Sequence, residues 1–226
     1  MIINKMFQNT INLSKLSTKI IFIISFTLVS ITEAAVPKND VFNIEYLKAK
    51  NTSLQMQDRW QALMNATNHA TGDDFIKITE FIQSSDWYMR NASLIALDKS
   101  GNDIVYEQAK KLITDRALVV RSAAAEILSR LNNDDIKKIF SVELDKNYNF
   151  KGKNSLWIRN QMMNYLVKHA ETTEKDFFVK YLNDQDIEIA NLSTQALEKI
   201  TDIRFSGTDK KDIVRQWQKL AKNQKW

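Results

Sequence analysis

The sequence predicts an all-α fold, and three observations support this prediction. The 226 residues include only four glycines and one proline, about 2% of the chain where roughly 12% is average. The apolar residues recur at helical spacing, and similar helical segments return about every 31 residues. The chain has no cysteine, which excludes disulfides and thiolate metal sites, so its core depends on packing alone.

The first element is a leader with the pattern of an export signal. Three lysines precede the apolar run Ile20–Ile31, and no acidic residue occurs before Glu33. Thr32 and Ala34 place small residues where a signal peptidase reads them. The run is 12 residues long, shorter than the ~20 that a membrane-spanning helix needs. We therefore predict that residues 1–34 are a cleaved signal peptide and that the protein is periplasmic or secreted. An uncleaved membrane anchor is the alternative.

A lead-in over residues 35–52 is followed by a predicted repeat domain over residues 53–203. Four segments align without gaps and a weaker copy precedes them. Their closing leucines are Leu63, Leu97, Leu128, Leu166 and Leu197, spaced 34, 31, 38 and 31 residues apart. Shorter helical patterns between the copies carry a second apolar stripe, so each repeat is predicted to be a helix pair.

The residues between the helical patterns agree with these boundaries. All four glycines, at positions 72, 101, 152 and 207, lie between helical patterns, as helix ends and connectors require. Asp86, Asp115 and Asp186 lie just ahead of a helix, where a carboxylate accepts from free first-turn N–H groups.

The pattern resembles HEAT repeats of the short bacterial kind over roughly residues 53–201. An apolar or aromatic residue lies three positions before Arg90, Arg121 and Arg159, small residues follow, and a leucine closes the segment. The resemblance implies a curved right-handed α-solenoid of four to five helix pairs that binds proteins. It also implies a ladder in which an Asp six residues before the Arg links neighbouring repeats. Only Asp115–Arg121 shows both members.

The three arginines lie beside the apolar column, so we interpret them as buried packing and capping residues. An anion-binding row would need them exposed on one face.

Composition excludes most catalytic sites, so we predict no enzyme, no cofactor and no metal. His69 and His169, the only histidines, are one hundred residues apart, and no two glycines fall within five residues. These counts exclude helical two-His zinc motifs and phosphate-binding glycine loops. The carboxylate pairs Asp73-Asp74 and Asp134-Asp135 open predicted helices, where the dipole favours acids. An enzyme that uses carboxylates in a groove stays an alternative.

The longest spacing contains an insert, which is the first candidate site. Seven extra residues fall within Asp145–Asn154, and inserts in repeat proteins often lie on the binding face. We expect Tyr148 and Phe150 to be exposed. A tolerated surface loop is the alternative. The candidate partner-binding residues are Tyr148, Phe150, Lys151 and Lys153.

The C-terminal helix, residues 204–226, is the second candidate. It holds seven basic and two acidic residues, and its apolar stripe predicts a helix that caps the last repeat. A basic amphipathic surface for an anionic lipid or an acidic partner is the alternative. That surface would use Lys210, Lys211, Arg215, Trp217 and Lys219.

Together these features predict an exported, monomeric, non-catalytic α-solenoid that binds or scaffolds a protein. Nucleic acid is not an expected partner, because an exported protein has little access to it. Weak contact with an anionic membrane surface is the remaining alternative.

Overall fold

The computed structural model describes residues 38–131, 134–207 and 209–226. The predicted signal peptide and the first residues of the lead-in lie outside this part of the chain. The described residues form eleven α-helices, three short 3-10 helices and one two-stranded sheet, which confirms the predicted all-α class. None of the described helices is both long and apolar enough to cross a membrane.

The helices follow the chain in order. They are α1 (Lys38–Lys50), α2 (Met56–His69), α3 (Asp74–Thr79), α4 (Trp87–Lys99), α5 (Ile104–Leu112), α6 (Leu118–Ser129), α7 (Asp134–Glu143), α8 (Trp157–Lys168), α9 (Lys175–Tyr181), α10 (Ile187–Thr201) and α11 (Lys210–Gln224). The 3-10 helices are Glu80–Gln83, Asn147–Asn149 and Thr172–Glu174. Strands β1 (Phe150–Lys151) and β2 (Asn154–Ser155) form an antiparallel hairpin.

The helices pack as pairs, and one member of each pair forms a continuous row. The even-numbered helices from α2 to α10 each pack on the next one, and α11 packs on α10. The odd-numbered helices from α1 to α9 pack against the even-numbered helix that follows. We call the even-numbered helices the even row.

Local sequence accounts for where several of these helices begin. The Asp186 side chain accepts from the N–H of Glu188 at the start of α10, and Asp115 accepts from the N–H of Ala117 before α6. The Asp186 cap was predicted, whereas Asp115 binds only the N–H of the N-cap residue Ala117 and makes no cap hydrogen bond to the first turn of α6. Asp86 also precedes a helix, but its side chain makes no cap hydrogen bond and binds Arg59 instead.

The core consists of two apolar clusters between the paired helices. One extends from Phe42 to Leu97 and the other from Ile82 to Ala221. All five closing leucines are buried, with at most 3% of their surface exposed.

The structure corrects the register of the first repeat. Arg59 is buried at the start of α2 and binds Asp86, as Arg90 at the start of α4 binds Asp115. Arg59 therefore corresponds to Arg90, and Ala66 rather than Leu63 corresponds to Leu97. Arg59 and Arg90 are then 31 residues apart, which equals the spacing between Arg90 and Arg121.

Candidate binding site beside the insert hairpin

A ladder of buried arginines positions the loops on which the site is built. Each ladder arginine lies in the first turn of an even-row helix and reaches forward to an acceptor 25 to 28 residues later. The pairs are Arg59–Asp86, Arg90–Asp115, Arg121–Asn149 and Arg159–Asp184. Each arginine also donates to a backbone carbonyl of its own repeat. The ladder thus ties every helix pair to the next one.

This geometry confirms that the predicted arginines are buried packing residues and corrects the expected pairing. Asp115 precedes Arg121 by six residues, yet its carboxylate binds Arg90 of the preceding repeat at 2.6 and 2.8 Å. Arg121 donates to Asp115 only at its backbone carbonyl. Asp184 likewise pairs backward with Arg159. Ala190 stands where the next arginine would be, so the ladder ends there.

The insert supplies an amide where the other rungs have a carboxylate. Asn149 is fully buried; its Oδ1 accepts from Arg121 Nε at 3.1 Å and its Nδ2 donates to the Glu143 carbonyl. The Tyr148 carbonyl accepts from Arg121 Nη2, and the Tyr148 ring lies 5.0 Å from the guanidinium carbon. Without a paired carboxylate, burial lowers the pKa of Arg121. The direct ion pair with Asp115 instead raises the pKa of Arg90.

These contacts correct the expectation that Phe150 is exposed and the alternative that the insert is only a tolerated surface loop. Tyr148 is 39% exposed, as expected, and its hydroxyl donates to the Glu143 carboxylate. Burial, together with that hydrogen bond, raises the pKa of Tyr148 to about 12. Phe150 is half-buried, with its ring centroid 4.4 Å from the Arg159 guanidinium carbon. The insert is therefore part of the ladder.

Only the tip of the hairpin is free of the core. Gly152 turns the chain at φ = 65°, a left-handed conformation that favours glycine. Lys151 and Lys153 flank it and are exposed, as predicted. No side-chain hydrogen bond or ion pair holds either lysine within the described part of the chain. Their ammonium groups remain available to a partner.

A cavity of about 490 Å³ lies between the hairpin and the loop that joins α9 to α10. Phe150 and Lys153 line it, whereas Tyr148 and Lys151 do not. The structure thus brings two of the four predicted residues to one cavity. The other lining residues that carry chemistry are Asp145, Arg159, Lys180, Tyr181 and Asp184.

Apart from Lys153, the charged groups that line this cavity are already paired. Asp145 contacts Arg159 Nη2 at 3.3 Å and Lys180 Nζ at 2.8 Å, and it accepts from the Tyr181 hydroxyl. Burial works to raise the pKa of Asp145, but these hydrogen bonds and cations outweigh it and the pKa is lowered. Burial and the Asp145 carboxylate raise the pKa of Tyr181. The cavity therefore offers hydrogen-bonding groups and the unpaired Lys153, with an ionised Asp145 and a neutral Tyr181 phenol.

Sequence reasoning missed these partners because they come from three separate segments. Asp145 lies in the turn after α7, Lys180 and Tyr181 end α9, and Asp184 lies in the following loop. The ladder itself left one usable signal. Arg59, Arg90 and Arg121 are equally spaced at 31 residues, although Arg59 falls outside the alignment on leucines.

The structure corrects the predicted tail surface at one residue, Trp217. Trp217 is only 1% exposed and packs in the core with Val214 and Ala221, so it is not part of a surface. Lys210 binds Glu188 at 2.5 Å, and Arg215 binds Asp212. Lys211 and Arg215 line a second cavity of about 540 Å³ around Ala190, at the end of the ladder. Lys211 and Lys219 are exposed or half-exposed.

Among the described residues, no three His, Asp or Glu side chains are grouped closely enough to hold a metal ion. The pair Asp73-Asp74 lies at the start of α3 and Asp134-Asp135 lies at the start of α7, as predicted. In comparisons with known proteins, no protein-family model and no curated protein matches the chain.

Proposed function

We propose that this protein is an exported, non-catalytic α-solenoid of HEAT-like helix pairs that binds a protein partner. The observation that carries the proposal is the insert hairpin, which the ladder holds rigidly and which presents Lys151 and Lys153 at its tip. Phe150 and Lys153 border the adjoining cavity. Loops held by a rigid framework are common positions for binding residues.

The carboxylates of the cavity support a binding role over catalysis. A general acid at neutral pH needs a raised pKa, but the pKa of Asp145 is lowered. Asp184 is paired with Arg159 at 2.6 Å. Both groups neutralise a buried guanidinium, and this role leaves neither free to accept a proton from a substrate.

The packing of α11 supports the capping role over membrane insertion. An interfacial amphipathic helix places its apolar side chains into the lipid boundary. Here Val214, Trp217 and Ala221 pack in the protein core. Only an electrostatic contact through the exposed lysines would remain for a membrane surface.

The test is affinity purification of a tagged mature protein with its native envelope fraction. Partner recovery should fall about tenfold for the double variant Lys151→Glu, Lys153→Glu, because the charge of the hairpin tip is inverted. The matched control, Lys211→Glu with Lys219→Glu, should recover the partner normally. Loss of the partner with the tail variant only would move the site to α11. N-terminal sequencing of the exported protein should begin near Ala35, and an intact Met1 on a cytoplasmic protein would refute export.

A further inference from the structure

A second surface lies on the even row, next to the hairpin but distinct from its cavity. Three large apolar side chains in the first turns of α4, α6 and α8 remain exposed. Trp87 is 45% exposed, Val119 is 43% exposed and Trp157 is 52% exposed. Because α4 packs on α6 and α6 packs on α8, these first turns are neighbours. We call this surface the tryptophan face.

Hydrogen-bonding side chains line the same face one turn further along. The residue directly after the ladder position is Trp60 in α2, but in the next four helices of the row it is a hydrogen-bonding residue: Asn91 in α4, Ser122 in α6, Asn160 in α8 and Asn191 in α10. The ladder fixes the position of each helix along its axis relative to the next helix, so these four residues form a column across the row. Trp157 Nε1 donates to Ser122 Oγ at 2.9 Å, which joins the column to the exposed tryptophan.

The column has unused hydrogen-bonding capacity. Asn91 is only 7% exposed, and its buried Oδ1 has no hydrogen-bond partner among the described residues. A buried polar atom without a partner costs stability, so it needs an explanation such as a bound group. The side chains of Asn160 and Asn191 are half-buried and likewise make no hydrogen bond within the described residues. Carboxamides both donate and accept, as the groups of a peptide backbone do.

The charge of the face restricts what binds there. In the first two turns of α4, α6 and α8, the open side of the even row presents no exposed lysine or arginine, and Glu126 lies exposed in the third turn of α6. The buried ladder arginines point away into their ion pairs. Nucleic acid would need cations to neutralise its phosphates, and an acidic segment would meet Glu126. A neutral or basic ligand is complementary.

The spacing of the row matches an extended chain. Packed helices lie about 8–10 Å apart, and a polyproline II chain returns to the same face every three residues, about 9 Å along its axis. That conformation leaves its backbone groups unpaired, and grooves lined by aromatic residues recognise it. A neutral glycan would also stack on the tryptophans, but the sugar hydroxyls that lie over Val119 would have no hydrogen-bond partner.

We propose that the tryptophan face binds an extended, neutral or basic polypeptide segment. Trp87, Val119 and Trp157 contact its apolar side chains. The carboxamides of Asn91, Asn160 and Asn191 hydrogen-bond its backbone. This proposal does not rest on the hairpin site, and either site can be refuted without the other.

The test uses dodecapeptides selected from a random phage-displayed library on the purified full chain, with affinities measured by fluorescence anisotropy. The selected peptides should be neutral or basic, with an apolar residue or proline recurring about every third position. Trp87→Ala and Trp157→Ala should each weaken binding about tenfold or more. The controls Ile76→Ala and Val142→Ala, which truncate exposed apolar residues of the odd-numbered helices, should leave affinity unchanged.

Asn91→Ala separates a binding role from a structural one. Removing an unpartnered buried carboxamide should leave the thermal midpoint unchanged or raise it, while peptide affinity falls about tenfold. A lower midpoint with unchanged affinity would overturn the assignment.

Three further outcomes would refute the proposal. The first is a failure to select any peptide. The second is that the selected peptides bind the Trp87→Ala, Trp157→Ala double variant as tightly as the wild type. The third is that a neutral β-1,4-glucose hexamer binds in place of peptides and that this binding is lost in Trp157→Ala. The last result would assign the face to a glycan. Hairpin variants at Lys151 and Lys153 should leave peptide binding unchanged. The hairpin proposal and the tryptophan-face proposal can therefore fail independently.

Discussion

At the scale of single residues, the strongest interactions in this protein are its buried guanidinium rungs. The side chains of Arg90 and Asp115 are each 6% exposed, and two hydrogen bonds join them. A pair of this kind stabilises the fold mainly because removal of one partner leaves a buried charge unpaired. Exposed pairs such as Arg130–Asp98 lack this penalty.

Asp115→Asn should therefore cost about 3 kcal/mol of unfolding free energy at pH 7. The control Asp98→Asn should cost less than ~1 kcal/mol. Urea unfolding of the three proteins measures both values. Equal losses in the two variants would show that the rung behaves as a surface ion pair.

The same variant has a defined pH dependence. Burial works to raise the pKa of Asp115, but the hydrogen bonds from Arg90 and the Ala117 N–H lower it overall. A carboxyl whose folded pKa is depressed contributes stability above its unfolded pKa, about 3.9, and loses it as the pH falls through the folded value. The difference between wild type and Asp115→Asn should shrink as the pH falls below about 4.

At the scale of elements, the insert and α11 are both anchored by buried side chains that their polar and basic composition does not reveal. The polar insert is anchored by Asn149, which completes the Arg121 rung. The basic tail helix buries Trp217 against the preceding helices. Charge and loop length describe the exposed side of each element, but stability depends on the buried side.

Replacing Lys146–Lys153 by a tight turn should destabilise the protein by at least ~2 kcal/mol, because Arg121 loses the Asn149 amide and the Tyr148 carbonyl. Alanine at Lys151 or Lys153 should change stability by less than ~0.5 kcal/mol, since both side chains are exposed. Chemical denaturation distinguishes the two. A harmless deletion would mean that Arg121 is satisfied without the insert.

Trp217→Ala should cost about 3–5 kcal/mol through lost burial and the resulting cavity. Trp157→Ala offers a matched control, because this tryptophan is 52% exposed and its removal leaves no internal cavity. Thermal and urea unfolding compare the two. Similar losses would show that α11 is not a cap held by Trp217.

At the scale of the whole molecule, each helix pair contacts its neighbours and the ladder repeats those connections. In a solenoid, stability is a sum of repeat terms and nearest-neighbour interfaces. Truncation after Ile203 removes α11 and uncovers α10. Hydrogen exchange should therefore quicken most in α10 and α9, while α2 and α4 keep their protection. Uniform loss of protection along the chain would indicate one cooperative globular unit and contradict the proposed solenoid.

Much of the fold follows from the sequence, because helical periodicity is a local property. Hydrogen bonds between residues four apart set the period of the apolar stripe. The helix pairs and the apolar stripe that holds the closing leucines could therefore be read directly, and Asp186 predicted a cap that the structure contains. The burial of the arginines also followed from their place beside that stripe.

Tertiary structure alone decided which groups meet. Asp115 lies six residues before one arginine, yet it binds another that precedes it by 25 residues, because the stacking of helix pairs brings that guanidinium to the loop. The same stacking buries Asn149, forms the cavity beside the hairpin, and brings the indole N–H of Trp157 to Ser122. Such contacts depend on how separate helices are placed along their axes relative to one another. Hydrophobic periodicity within each helix does not encode that placement.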